Sequence, residues 1–212
     1  MPASRRRISL GVGRAEYPEG THLCLVFSEE PQRRSSIAAF LAAGLRARER
    51  VGYFAESTPL GTVQEWVDAV IAPGEARGRL EVTTAESAYT PAGYFTPEEM
   101  LGRLESYYRD AVGEGLAGAR VSGEMEWALR GLPGSERLVE YEARLNLLVR
   151  SHPVTAVCQY DARRFDGATL LDVLRIHPMM IVDGQVVENP YYVKAEDFLS
   201  ARGLPVARRE DA

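Results

Sequence analysis

Between Ala119 and Asp161 the chain passes twice from an apolar run into a polar end. One strand-like stretch leads through Arg120-Val121-Ser122-Gly123 into Glu124-Met125-Glu126-Trp127. A helix then presents Leu138, Tyr141, Leu145 and Leu148 on one face, and a second apolar run from Val154 ends in Gln159, Tyr160 and Asp161. Short apolar runs joined by amphipathic helices are what parallel strands buried on both faces look like. Ionisable groups at their ends fall on the carboxyl edge of the sheet, where such folds bind ligands.

The remaining chain repeats the alternation. His22 to Phe27 and Val51 to Ala55 read as buried strands, and Leu80 to Thr83 as a shorter one. Helical spacing links Ile37, Phe40, Leu41 and Leu45, then Leu60, Val63, Trp66, Val67, Val70 and Ile71 up to Ala72, with Trp66 as core. Tyr89, Tyr94 and Phe95 occupy a loop expected to pack on the sheet edge. Thr96-Pro97-Glu98-Glu99 has the form of a capping box with proline at the first helical position. Asp166 caps a helix that His177-Pro178 ends, and Asp183-Gly184 between two apolar pairs predicts a hairpin. The expected fold is α/β: a three-layer, mostly parallel sheet with a C-terminal antiparallel hairpin edge.

With 212 residues and 45% apolar content, one core is the default. Residues 1–18, carrying Arg5, Arg6, Arg7 and Arg14, read as a flexible tail, residues 19–193 as the domain, and residues 194–212 as a C-terminal helix and tail. A net charge of -5 gives no general electrostatic reason to bind nucleic acid or an anionic membrane. No stretch has the length of a membrane span, and no secretory signal opens the chain. A soluble, cytoplasmic protein is the expectation. Cys24 and Cys158 sit in apolar runs as reduced, inert thiols, and His22, His152 and His177 share no metal-ligand spacing, so no metal site is expected.

The chemistry-bearing patterns are mostly negative. Strand, loop and helix around Ser28 to Ser36 have the layout of a phosphate-binding loop, but the segment has no glycine, no lysine before Ser35-Ser36, and two carboxylates, Glu29 and Glu30. No nucleophile, base and orienting group fall into order, and no dinucleotide fingerprint appears. Glu124 and Glu126 could bind a cation, orient a ligand or serve as acid and base, or simply face water; Glu142 and Asn146 form an i, i+4 polar pair.

Taken in order, several motifs carry a resemblance: Gly20-Thr21-His22-Leu23-Cys24, Phe40-Leu41 with Gly44-Leu45, Arg120 to Trp127, Tyr141-Glu142 with Leu145-Asn146, Cys158 to Asp161, His177-Pro178 and Asn189-Pro190-Tyr191. Over residues 19–193 the chain resembles the MEDS domain, the methanogen/methylotroph DcmR-type sensory domain. That resemblance implies a RecA/KaiC-like core without a working phosphate loop, and a non-enzymatic role in sensing small molecules, hydrocarbon derivatives among them, in transcriptional signalling. Family members are often fused to an output module, and beyond Arg202 this chain leaves no room for one. It is then expected to act through a regulatory partner (an anti-sigma factor, a kinase or a transcription factor) or through its own oligomerisation. The ligand is expected at the carboxyl edge, contacted by His22, Glu29, Glu124, Trp127, Tyr141, Glu142, Gln159, Tyr160 and Asp161, with no cofactor named. A RecA-like nucleotide-binding protein or ATPase, with Glu124 or Asp161 holding Mg²⁺, and a ligand-free interaction scaffold remain as alternatives.

Overall fold

Two consecutive chain segments in which every residue is buried, β6 (Ala119–Glu124) and β7 (Thr155–Asp161), form the middle of the sheet. They fill the centre because their side chains pack on both faces, which only central strands of a layered α/β fold require. The computed structural model of the chain describes residues 5–206. Around the central pair stand β3 (His22–Phe27), β4 (Arg50–Ala55), β5 (Arg79–Thr84) and the hairpin strands β8 (Met179–Val182) and β9 (Gln185–Glu188). The spatial order is β5-β4-β6-β7-β3-β8-β9; all neighbours are parallel except β8 with β9. The expected mostly parallel sheet with an antiparallel C-terminal edge is therefore the observed fold.

Helices α1 (Glu30–Arg46) and α2 (Leu60–Asp68) cover one face, burying Ile37, Phe40, Leu41, Trp66 and Val67 against Leu23, Leu25, Val51 and Val157. On the other face lie α3 (Ala85–Tyr89), α4 (Pro97–Gly113), α5 (Leu138–Leu148) and α6 (Gly167–Ile176), whose Leu101, Leu104, Tyr141, Leu145 and Val173 pack on Val121, Ala156 and Cys158. A short α7 (Ala195–Ala201) docks Phe198 and Leu199 beside Ala143 and Ile176. Among the described residues no helix is long and apolar enough to cross a membrane.

Four local expectations need correction. Residues 7–18 form an antiparallel hairpin, β1 (Arg7–Ser9) with β2 (Glu16–Pro18), rather than a tail. Ile8, Leu10 and Val12 alternate and are all buried, and Arg6 pairs with the buried Glu49 at 2.7 Å. Residues 1–4 of that tail lie outside the described chain. The supposed loop Ser28 to Ser36 is far shorter, because α1 begins at Glu30 with Pro31 in its first turn, where a missing N–H costs nothing. α2 stops at Asp68, short of Ala72. Thr96 does precede α4, but its hydroxyl makes no hydrogen bond and Glu99 leans toward Arg103 instead, at 3.8 Å, so the capping box is absent.

One buried charge shows how closely the layers approach. Arg120, fully buried on β6, pairs with Glu49 and donates to the Phe40 carbonyl at 2.8 Å. It fits only because α1 carries Gly44 there: a Cβ would stand 2.5 Å from Arg120 Nε.

Candidate functional site

Period-2 alternation along β7 separates the expected site residues. Cys158 and Tyr160 point to the α5 side, while Gln159 points to the α1 side, and β6 sends Glu124 to the same side as Gln159, its register partner. What reads as one constellation in the chain is two buried polar centres with the sheet between them.

On the α1 face, Arg33 Nη2 donates to Glu124 Oε1 at 2.5 Å, to Tyr53 Oη at 2.9 Å and to Thr58 Oγ1 at 2.9 Å, while its Nε donates to Gln159 Oε1 at 2.8 Å. Tyr53 also donates to Glu124 Oε1 at 2.6 Å. The other carboxylate oxygen lies in a nest of backbone amides after β4: Glu56, Ser57 and Thr58 N–H donate to Oε2 at 2.9, 2.6 and 3.2 Å, with the Ser57 hydroxyl at 3.0 Å. Burial would raise this carboxyl, but the Arg33 guanidinium and the hydrogen bonds from Thr58, Tyr53 and Ser57 bring it down to about 2. Glu126, two residues on, is also buried, with Oε2 unpartnered, and burial plus the nearby Glu124 charge push it up to about 7.

On the α5 face, Glu142, fully buried, stands between two imidazoles, with His22 Nε2 at 3.1 Å and His177 Nε2 at 3.5 Å from its Oε2. Cys158 Sγ is 3.3 Å from the same oxygen, and Tyr160 Oη donates to Oε1. Burial and the neighbouring His177 lower His22, and burial with the Glu142 charge raises Cys158 well above its ordinary value. Trp127 and Tyr141 contribute packing: Trp127 stacks on Tyr89 at 4.8 Å, and Phe95 meets Tyr141 edge-on at 5.6 Å.

Of the nine expected contacts, Glu124 and Gln159 thus belong to one centre, and His22, Glu142 and Tyr160 to the other. Glu29 is exposed beside the start of α1, and Asp161 is held at the rim by Arg163 at 2.7 Å, apart from both centres. Sequence reasoning missed Arg33, Tyr53 and His177 as members. The Arg33-Arg34 pair at the start of a helix that follows a buried strand was the available signal for Arg33.

The match to a family model settles what kind of domain carries these centres: residues 21–178 match the MEthanogen/methylotroph, DcmR Sensory domain. The chain belongs to the MEDS family. Over 80 residues it is 38% identical to the transcriptional repressor DcmR of Methylorubrum extorquens (strain DSM 6343 / CIP 106787 / DM4), a stretch covering 37% of this chain and 30% of that repressor. The chain therefore spans under a third of that relative's length. A solved KaiC-like protein of the hyperthermophilic archaeon Pyrococcus horikoshii OT3 matches with a TM-score of 0.56 at 15% identity, over 83% of this chain and 80% of that one. That likeness shows a shared RecA-like fold. The family is a sensory one, and the DcmR relative is by its name a transcriptional repressor.

Proposed function

We propose that this MEDS domain is a non-enzymatic cytoplasmic sensor whose carboxyl edge exchanges its own Glu124 for the carboxylate of a small oxidised hydrocarbon derivative. The observation that carries the reading is the self-occupied nest. Three backbone amides and Ser57 converge on Glu124 Oε2, and Arg33 closes on Oε1. Such a nest is a preformed anion site, and an internal carboxylate held in it is a stand-in for a ligand. A ligand that displaces Glu124 favours one of two arrangements of the Glu56–Thr58 segment and of α1, which is what a sensor needs to signal. A regulatory partner reads the change. Phosphate chemistry is disfavoured, because the turn after β3 offers Glu29 and Glu30 where an NTPase offers glycine amides and lysine.

Titration with acetate and glycolate, followed by tryptophan fluorescence and melting temperature, tests the reading. A saturable response is expected in the native chain, tighter in Glu124→Gln, where the internal competitor is weakened, and lost in Arg33→Met. Cooperatively melting native and Glu124→Gln proteins that both ignore the carboxylates would overturn it. So would micromolar binding of ATP with Mg²⁺.

A further inference from the structure

The centre on the α5 face has a donor geometry that neutral imidazoles cannot satisfy. Asn146 Nδ2 donates to the Ile176 carbonyl at 2.6 Å and to the Glu142 carbonyl at 3.3 Å, which fixes its Oδ1 as the atom facing His22 Nδ1 at 3.1 Å. His22 must therefore carry its proton on Nδ1. His177 Nδ1 lies 2.8 Å from the Val173 carbonyl, which can only accept, so its proton is on Nδ1 as well. In the neutral imidazoles both Nε2 atoms then present bare lone pairs. Both face Glu142 Oε2, and His177 Nε2, though 3.5 Å from that oxygen, has no hydrogen-bond partner. Lone pairs from two imidazoles and a carboxylate converge beside the Cys158 sulfur, in an interior where His22, Glu142 and His177 side chains are 0% exposed. Such a convergence calls for a cation at its centre.

We propose that His22, Glu142, Cys158 and His177 form a closed, four-coordinate site for a divalent first-row transition ion of the zinc type. Their ligand atoms all lie within 4.8 Å of one another. Four of the six separations are 3.1 Å for His22 Nε2 to Glu142 Oε2, 3.3 Å for Cys158 Sγ to Glu142 Oε2, and 3.5 Å for both Cys158 Sγ to His22 Nε2 and His177 Nε2 to Glu142 Oε2; the remaining two, from His177 to His22 and to Cys158, lie within 4.8 Å. A tetrahedral ion with bonds of about 2.0–2.3 Å needs donors about 3.3–3.8 Å apart. Sulfur, two imidazoles and one carboxylate suit zinc or cobalt and not magnesium or calcium. Charge closes too: a divalent ion with one thiolate and one carboxylate is neutral, which this dry interior requires. Binding converts the Cys158 thiol to thiolate, and its proton leaves to solvent, one per ion.

The surroundings orient these ligands as metal sites do. Asn146 and the Val173 carbonyl aim the two imidazoles, and Tyr160 holds the second Glu142 oxygen. The four donors come from β3, α5, β7 and the residue after α6. An ion there would tie the neighbouring strands β3 and β7 to the two helices covering them. With all four positions filled by protein, the site has no open coordination for substrate, so it would govern folding and rigidity and not turnover. It lies across the sheet from the Glu124 nest and stands independently of it.

The test uses the full chain, stripped with chelator and titrated with Co²⁺. One ion per chain is expected, with the thiolate-to-cobalt charge-transfer band, intense tetrahedral d–d absorption, release of about one proton per ion, and displacement by Zn²⁺ that raises the melting temperature. Cys24→Ser should keep the spectrum and Cys158→Ser should lose the charge-transfer band. Asn146→Ala should weaken uptake about 10- to 100-fold without abolishing it. Should Cys158→Ser fail to fold, the native chain decides alone. Folded native protein that takes up no Co²⁺, even when refolded in its presence, overturns the proposal, as does a spectrum without thiolate character or one that survives in Cys158→Ser.

Discussion

Cys158 and Gln159 are consecutive residues of β7 that face opposite sides of the sheet, so the polar end of one strand supplies two separate centres. Cys158 lies 3.3 Å from Glu142, and Gln159 accepts from Arg33 at 2.8 Å. The chemistry of each centre can therefore be perturbed without touching the other.

Glu124 should make the fold acid-sensitive. Its carboxyl is held at about 2 against an ordinary 4.5, so the folded state keeps it ionised more strongly than the unfolded chain does. A depressed carboxyl contributes stability that is full above 4.5 and is lost as pH falls toward 2, on the order of 3 kcal/mol over that window. Glu124→Gln should lose about 3–5 kcal/mol at neutral pH by stranding Arg33, and should show a flatter decline below pH 4.5. Urea melts from pH 7 to pH 3 read both effects.

Glu126 has the opposite sign. Its carboxyl rises from 4.5 to about 7, so the folded state holds the proton more tightly; the contribution is complete below 4.5 and is lost as pH climbs through 7. Stability should fall by about 3 kcal/mol between pH 4.5 and pH 8, and Glu126→Gln should remove most of that slope. Equal slopes in the two proteins would show that Glu126 finds a partner for its free oxygen.

The layered fold was legible because β3, β4 and the first part of β7 are short apolar runs between helices, a pattern few other architectures accept. The N-terminal hairpin was not, although Ile8, Leu10 and Val12 alternate: three-residue strands are too short to stand out, and Arg5-Arg6-Arg7 reads as solvated until Glu49 is seen beneath Arg6. In the candidate site, the types of residue at the strand ends were readable, and their division between faces was implicit in the odd and even positions of β7. The quartet at His22, Glu142, Cys158 and His177 could not be read from spacing, since each member comes from a different element and only the strand order brings them together.

Gly11 should not tolerate a side chain. It has φ of +74°, and a Cβ there would stand 2.0 Å from the Ala39 carbonyl oxygen on α1, a backbone atom that cannot step aside. Gly11→Ala should lift the hairpin from α1 and cost more than about 1–3 kcal/mol. Gly61, in α2, has nothing within 4 Å of its ideal Cβ, so Gly61→Ala should stabilise by up to about 1 kcal/mol through helix propensity. Thermal melts of the two variants should move in opposite directions.

Arg120 and Glu49 should be strongly coupled. Both are buried, and Glu49 also receives Arg6 at 2.7 Å, so the carboxylate is shared between a fully buried guanidinium and one from the hairpin. Arg120→Met leaves Glu49 with Arg6 alone and Gly44 facing a reshaped space, and should cost about 3–5 kcal/mol. Glu49→Gln should cost a comparable amount, because it strands Arg120 among apolar side chains. The double variant removes both charges of the pair and should cost less than the sum of the singles by more than about 0.5 kcal/mol. Additive losses in a denaturant double-mutant cycle would mean that Arg6 and the Phe40 and Ser9 carbonyls, which Arg120 reaches at 2.8 and 3.2 Å, carry the two charges without each other.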